Sequence, residues 1–222
     1  MGSLPPSCSR PLLPRSSRST DLFYTRIHDF QTELFNPATD IPVAANAPFV
    51  TTEGVEANFF GRPWKDFTLN GGVIYDAATY GPLFTTNEIG LPVNVQGRQL
   101  AGAPKWKVTV AGEYSRDLGR NLQSFVSADL VYTSAIDFAE FADPLQETGD
   151  HAIVGARLGV RSADKHWSIA VFARNLFDDR EPPFLYAPYL LASVTAPGIT
   201  TQGRSYSIDS FRLVGVSLDG RF

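Results

Sequence analysis

Apolar residues recur at every second position through most of this chain, and no other feature narrows its fold so far. Period two is the strand period, because successive side chains leave opposite faces of a pleated backbone. Trp106, Val108, Val110, Gly112 and Tyr114 fall on one face, and Lys107, Thr109, Ala111 and Glu113 on the other. Leu122, Val126, Ala128, Leu130 and Tyr132 alternate with Gln123, Ser127, Asp129 and Thr133. Ala152, Val154, Ala156, Leu158 and Val160 alternate with His151, Gly155, Arg157 and Arg161. Trp167, Ile169, Val171 and Ala173 alternate with Ser168, Ala170 and Arg174. Noisier runs place Val55, Ala57 and Phe59 opposite Glu56 and Asn58, and Phe67, Leu69, Val73 and Tyr75 opposite Thr68, Asn70 and Asp76. A first strand near Leu22–Leu34 and a last from Phe211 to Phe222 bring the expected number to about eight.

The connections alternate in length. Gly61–Asp66, Arg116–Arg120 and Ser162–Lys165 are short, whereas Phe35–Phe49, Thr79–Pro104, Ala135–Asp150 and Asp178–Asp209 are long. Tight turns at one end of a sheet and long loops at the other are the habit of outer-membrane barrels, with the short turns in the periplasm. Trp106, Tyr114, Tyr132, Trp167 and Phe222 stand near strand ends, where interfacial aromatic girdles belong. Composition agrees. The 222 residues carry a net charge of −4, with 19% charged and 12% aromatic residues, so the chain is neither basic enough for nucleic acid nor polar enough for disorder. No run of about 18 apolar residues marks a membrane helix. A mean hydropathy of −0.09 suits a strand that needs only alternate residues apolar.

Residues 1–20 differ from the rest: rich in Ser, Pro and Arg, without acid or alternation, they read as a disordered leader, with the barrel segment over 21–222. They lack the apolar core of a signal peptide. Cys8 is the sole cysteine, which excludes an internal disulfide and a thiolate metal site.

Catalytic and metal motifs do not emerge. His28, His151 and His166 have no His partner at metal spacing, and neither a Gly-x-Ser-x-Gly elbow nor a phosphate loop occurs. His166 and Ser168 share a face but have no base to orient them. The acids Asp137, Glu140, Asp143, Glu147 and Asp150 crowd one loop without the spacing of an EF-hand, as a solvated loop would. The expectation is no enzyme, no metal and no cofactor.

Four passages together resemble TonB-dependent receptors. The chain closes Gly215-Val216-Ser217-Leu218-Asp219-Gly220-Arg221-Phe222, like that family's terminal strand, with Asp219 and Gly220 departing from the usual pattern. Trp167–Asp178, ending Ala173-Arg174-Asn175-Leu176-Phe177-Asp178, is similar to its penultimate strand. Leu100-Ala101-Gly102-Ala103-Pro104-Lys105-Trp106 resembles the start of an earlier strand, and Tyr24–Phe30 with Thr52–Glu56 a pair further upstream.

The resemblance implies an antiparallel up-and-down membrane β-barrel, these strands being about eight of a 22-stranded whole. It implies a receptor for a scarce solute such as a ferric siderophore, in the outer membrane of a Gram-negative bacterium. Val214, Val216, Leu218 and Phe222 would form the signal read by the barrel-assembly machinery. The partners implied are outer-membrane lipid, that machinery, the remainder of the receptor and, through a plug, TonB. Neither plug nor TonB box is evident, so the expectation is a fragment unable to transport actively alone. In a receptor, Phe184, Tyr186, Tyr189 and Tyr206 of the loop Pro182–Ser207 either contact ligand or pack against one another and their neighbours. Two other readings compete: a complete eight-stranded barrel with a structural or adhesion role, and a soluble β-sandwich.

Overall fold

A computed structural model describes residues 16–36, 41–86, 91–141, 146–186 and 203–221. Twelve strands run in chain order: β1 (Ser16–Asn36), β2 (Ile41–Gly61), β3 (Phe67–Tyr80), β4 (Phe84–Thr86), β5 (Pro92–Asn94), β6 (Trp106–Gly119), β7 (Leu122–Thr133), β8 (His151–Ser162), β9 (Trp167–Arg174), β10 (Phe184–Tyr186), β11 (Gly203–Ser205) and β12 (Leu213–Gly220). Eight of them form one antiparallel sheet, each beside its predecessor in the order β1-β2-β3-β6-β7-β8-β9-β12. The two small pairs, β4–β5 and β10–β11, are hairpins within the long connections. No α-helix occurs among the described residues; a single 3-10 turn, Ile208–Ser210, leads into β12.

Turn chemistry sets the register. Arg120 and Asn121 both have positive φ, 52° and 60°, the backbone of the tight hairpin turn whose twist matches that of the strands it joins. Gly119, at φ 79°, sits beside a register shift that absorbs the odd residue. The other short turns end on left-handed Asp66 and Lys165. From there the ladders run unbroken: Tyr114 opposes Val126, Val126 opposes Leu158, and Leu158 opposes Val171, which opposes Val216.

Two expectations change. The stretch Phe35–Phe49, read as a long loop, is largely strand: Phe30–Asn36 pairs with Ile41–Ala47, so the β1–β2 hairpin rises well past its neighbours. Its sequence, Pro42-Val43-Ala44-Ala45-Asn46-Ala47, is too small and mixed to show alternation. The sheet also starts earlier than composition suggests. Ser16–Thr20 pairs with Ala57–Gly61, because β2 offers a partner along its whole length.

The principal cluster of buried apolar side chains is not in the middle of the sheet. Ala47, Val50, Tyr80, Leu83 and Val95 pack together at the long-loop end of β1–β3, with Phe30, Val93 and Leu100 against them. Tyr80 and Val50 face each other across β2 and β3. The β4–β5 connection folds back over this end, held by the Val95 amide on the Leu83 carbonyl (3.0 Å) and the Gly97 amide on that of Tyr80 (2.9 Å). The strands β1 and β12 stand at opposite ends of the sheet and are not paired with each other. The eight strands are therefore an open sheet here, not a closed small barrel.

Candidate functional site

Because opposed residues in an antiparallel ladder share a face, the register sorts every strand residue onto one side or the other. One face carries Val55, Val73, Trp106, Val108, Val126, Leu130, Val154, Leu158, Ile169, Val171, Val214, Val216 and Leu218. Many of these side chains are exposed, Leu158 at 63% and Leu218 at 78%, and the rest, such as Val73 and Val108, are half-buried. Across β3, β6, β7, β8, β9 and β12, the one charge on this face among the described residues is Arg116, beside the turn at Arg120. An apolar surface of that extent is not stable against water. The apolar positions of β6 run from Trp106 to Tyr114, eight steps. At about 3.4 Å per residue and a tilt near 40°, that span covers about 20 Å along the sheet normal to its end rows, close to the ~25 Å apolar band of a membrane barrel.

The opposite face is charged and internally paired. Arg157 donates to Asp219 (2.8 Å) and to the Ser217 hydroxyl (2.7 Å), and Ser168 donates to the same Asp219 carboxylate (2.9 Å). Arg161 reaches Glu113 (2.7 Å) and Gln123 (2.8 Å), and Gln123 passes a hydrogen bond on to Asp117 (3.0 Å). Both guanidinium groups lie over the buried Phe125 ring, at 4.9 Å for Arg161 and 5.6 Å for Arg157. One network thus ties β6, β7, β8, β9 and β12 together on this face. Asp219, a departure from the family's usual ending, is its partner on the last strand. Arg157 and Arg161 stand four apart on a strand, hence on one face, which is the signal that sequence reading could have followed to this network.

The residues singled out by sequence fall as follows. Val214, Val216 and Leu218 are exposed on the apolar face of β12, and Phe222 lies outside the described residues. Trp106 packs against Tyr75 at 4.8 Å. Tyr132 donates its hydroxyl to Asp150 (3.1 Å), which also accepts the Ala135 amide (2.7 Å). Tyr114 and Trp167 stand exposed near the short turns. Phe184 meets Phe138 edge-on at 5.3 Å, and Tyr206 lies 5.8 Å from Phe211, so these two rings take different partners. The Tyr186 backbone pairs with Gly203, and Tyr189 lies outside the described residues. In the acidic loop Asp137 pairs with Arg98 (3.5 Å) and Glu140 accepts from Thr32 (3.4 Å); among the described residues no three acids or histidines come together in a group that could hold a metal.

Sequence reading missed a latch at the long-loop end. Asn175, 1% exposed, accepts the Asp179 amide (2.9 Å) and donates to the carbonyls of Asp179 (2.8 Å) and Ser210 (3.2 Å). Asp179 holds the Ala152 amide at the start of β8 (3.0 Å), and Asp178 the Arg212 amide before β12 (3.2 Å). The hydrogen bonds from Arg180 and then from the Arg212 amide keep the Asp178 carboxyl below its ordinary range. Asn175 and Asp178 both have positive φ, 47° and 58°, which Asn and Asp tolerate better than most residues. The Asn-Leu-Phe-Asp run is thus a turn that fastens β8, β9 and β12.

The sequence profile of the TonB-dependent receptor-like β-barrel matches residues 15–176, most of the chain. The chain belongs to the TonB-dependent receptor β-barrel family. That family and fold are those of transport receptors, not of enzymes. No curated protein matches it in sequence. Among solved structures it is similar to the ferric yersiniabactin uptake receptor FyuA of Yersinia pestis, at 17% identity and a TM-score of 0.66, over 92% of this chain and 27% of that one. The siderophore receptor PiuA of Acinetobacter baumannii matches at 16% identity and 0.61, over 92% and 25%. BauA, the ferric preacinetobactin receptor of the same organism, matches at 16% and 0.56, over 92% and 27%. The chain spans about a quarter of the length of these receptors.

Proposed function

We propose that these strands form part of the wall of an outer-membrane receptor that takes up a scarce solute of the ferric siderophore kind in a Gram-negative bacterium. The observation that carries this reading is the two-faced sheet over β3, β6, β7, β8, β9 and β12: an apolar face whose one charge among the described residues is Arg116 on one side, an ion-paired face on the other. The first suits lipid and the second a polar lumen. The siderophore class is supported by the receptors the fold resembles. The unpaired edges of β1 and β12 suit a sheet continued by further strands, since an open edge within a bilayer leaves backbone groups unsatisfied. No plug is among the described elements, so the energised step and the contact with TonB belong to other parts of the receptor.

Within this reading Val214, Val216, Leu218 and Phe222 serve assembly, Trp106, Tyr114, Tyr132 and Trp167 sit at the interfaces, and Phe184, Tyr186, Tyr189 and Tyr206 form a loop open to ligand. The test is to express the full chain behind a signal peptide in a Gram-negative host and fractionate its envelope. The expected result is recovery with outer membranes, released by detergent but not by alkaline wash. A folded monomer soluble without detergent would overturn the proposal.

A further inference from the structure

The apolar face loses its uniformity at the β1–β2 hairpin. Leu22 pairs with Val55 on this face, and counting by twos from them puts Arg18, Arg26 and His28 of β1 and Glu53 of β2 on the same side. Depth follows from distance to the short-turn end of each strand. On β6 the aromatic residues Tyr114 and Trp106 lie five and thirteen residues from Gly119. On β2 the corresponding end is Gly61. Arg18, paired with Phe59, stands two residues from it, and His28, paired with Phe49, twelve, so both lie at the margins of the apolar band. Glu53 stands eight residues from it and Arg26, paired with Thr51, ten. These two charges therefore fall within the band, where no other acid of the eight strands shares this face among the described residues. Both side chains are exposed. Arg26 lies over the Phe49 ring at 4.1 Å without an ion pair, and Glu53 has no polar partner among the described residues. A charge turned to hydrocarbon without a counter-charge is costly.

We infer that the outward face of the β1–β2 hairpin is a contact surface for a second copy of this chain within the membrane, in which Arg26 of each copy meets Glu53 of the other. The inference rests on the barrel reading, which turns this face to lipid. Charge complementarity selects the occupant. Arg26 and Glu53 stand on adjacent strands at nearly one depth. A two-fold axis along the membrane normal, passing between β1 and β2, sets each opposite its counter-charge in the other copy. Two such pairs form together, in a medium that screens them little. Leu22 and Tyr24, both exposed, supply apolar contact beside them. Glu53 repels the anionic headgroups that would otherwise suit Arg26, so the mixed sign of the face favours a copy of itself over lipid.

The full chain, carrying donor or acceptor dye on Cys8, its sole cysteine, is folded into phosphatidylcholine vesicles, and energy transfer is followed as the chain is diluted into lipid. The expected result is transfer that saturates with chain density, above the level of random encounter. Arg26→Glu leaves the face acidic and Glu53→Arg leaves it basic. Each variant alone should associate about tenfold more weakly, and a mixture of the two should recover the transfer of the unaltered chain. Glu53→Gln, which keeps the shape and removes one charge, should weaken association as well. Unchanged transfer in these variants overturns the contact, and is what edge-to-edge pairing through β1 or β12 predicts. A mixture that restores nothing overturns it too, in favour of a pair closed within one chain. A folded, heat-modifiable chain with no transfer above random encounter removes the contact alone. A chain that does not insert removes the barrel reading and the contact with it.

Discussion

Asn175 concentrates more structure than any other single residue here. Its side-chain amide answers three backbone groups from two stretches of chain, in a site with almost no access to water. Asn175→Ala leaves those groups unpaired and places a less tolerant residue at positive φ, so we expect a loss of about 2–4 kcal/mol. Asn175→Gly loses the same hydrogen bonds but not the backbone comfort, and is expected to fare about 1 kcal/mol better than Ala. Urea unfolding in detergent separates the two. Asp178 gives a pH dependence at the same turn. Its folded carboxyl is held below the ordinary value, chiefly by Arg180, so the stabilisation is complete above the unfolded carboxylate range. It is lost as pH falls through the depressed value. Carboxyl titration by NMR should place the Asp178 midpoint below about 3.9, and Arg180→Ala should move it back up.

Strands differ in how much room they leave each other. A Cβ added at Gly159 on β8 would come within 2.3 Å of the Ile169 carbonyl oxygen on β9, whereas one at Gly215 on β12 would meet the far edge of the Phe172 ring at 2.8 Å. Backbone cannot step aside without disturbing the ladder, but a ring can turn. Gly159→Ala is therefore expected to cost about 1–3 kcal/mol and Gly215→Ala less, again by unfolding in detergent. Elements of this kind divide what sequence can show. Strands β6 to β9 were legible because each residue's face is set by two-residue periodicity alone. The upper part of the β1–β2 hairpin was not, because Pro42, Ala44, Ala45, Asn46 and Ala47 give its second strand no apolar alternation. The Arg157–Asp219 pair spans 62 residues of chain, and its existence follows from register, which depends on turns whose left-handed residues Arg120, Asn121 and Lys165 give little local warning. The motif ending in Asp178 was visible as a resemblance, but its latch could be read only once Ser210 and Arg212 were placed beside it.

At the scale of the whole molecule the sheet poses a solvent question, because one face suits water and the other does not. If the apolar face meets lipid, the cost of a charge there depends on depth, whereas a charge on the opposite face costs little wherever it stands. Val171 sits on the apolar face of β9, flanked by Leu158 and Val216 and well inside the ends of its strand. Thr109 lies on the opposite face of β6 and is exposed. For the chain folded into lipid vesicles, Val171→Arg is expected to cost about 2–4 kcal/mol, the penalty of a guanidinium near the bilayer midplane, and Thr109→Arg less than about 1 kcal/mol. Trp167→Arg, at the short-turn end of the same strand and face as Val171, should fall between them, because the side chain can reach headgroups. A sheet whose apolar face packs against protein instead of lipid would penalise Trp167→Arg and Val171→Arg alike, since depth has no meaning there. Equal costs at the two positions, measured by reversible urea unfolding from vesicles, would therefore remove the membrane from the account while leaving the fold untouched.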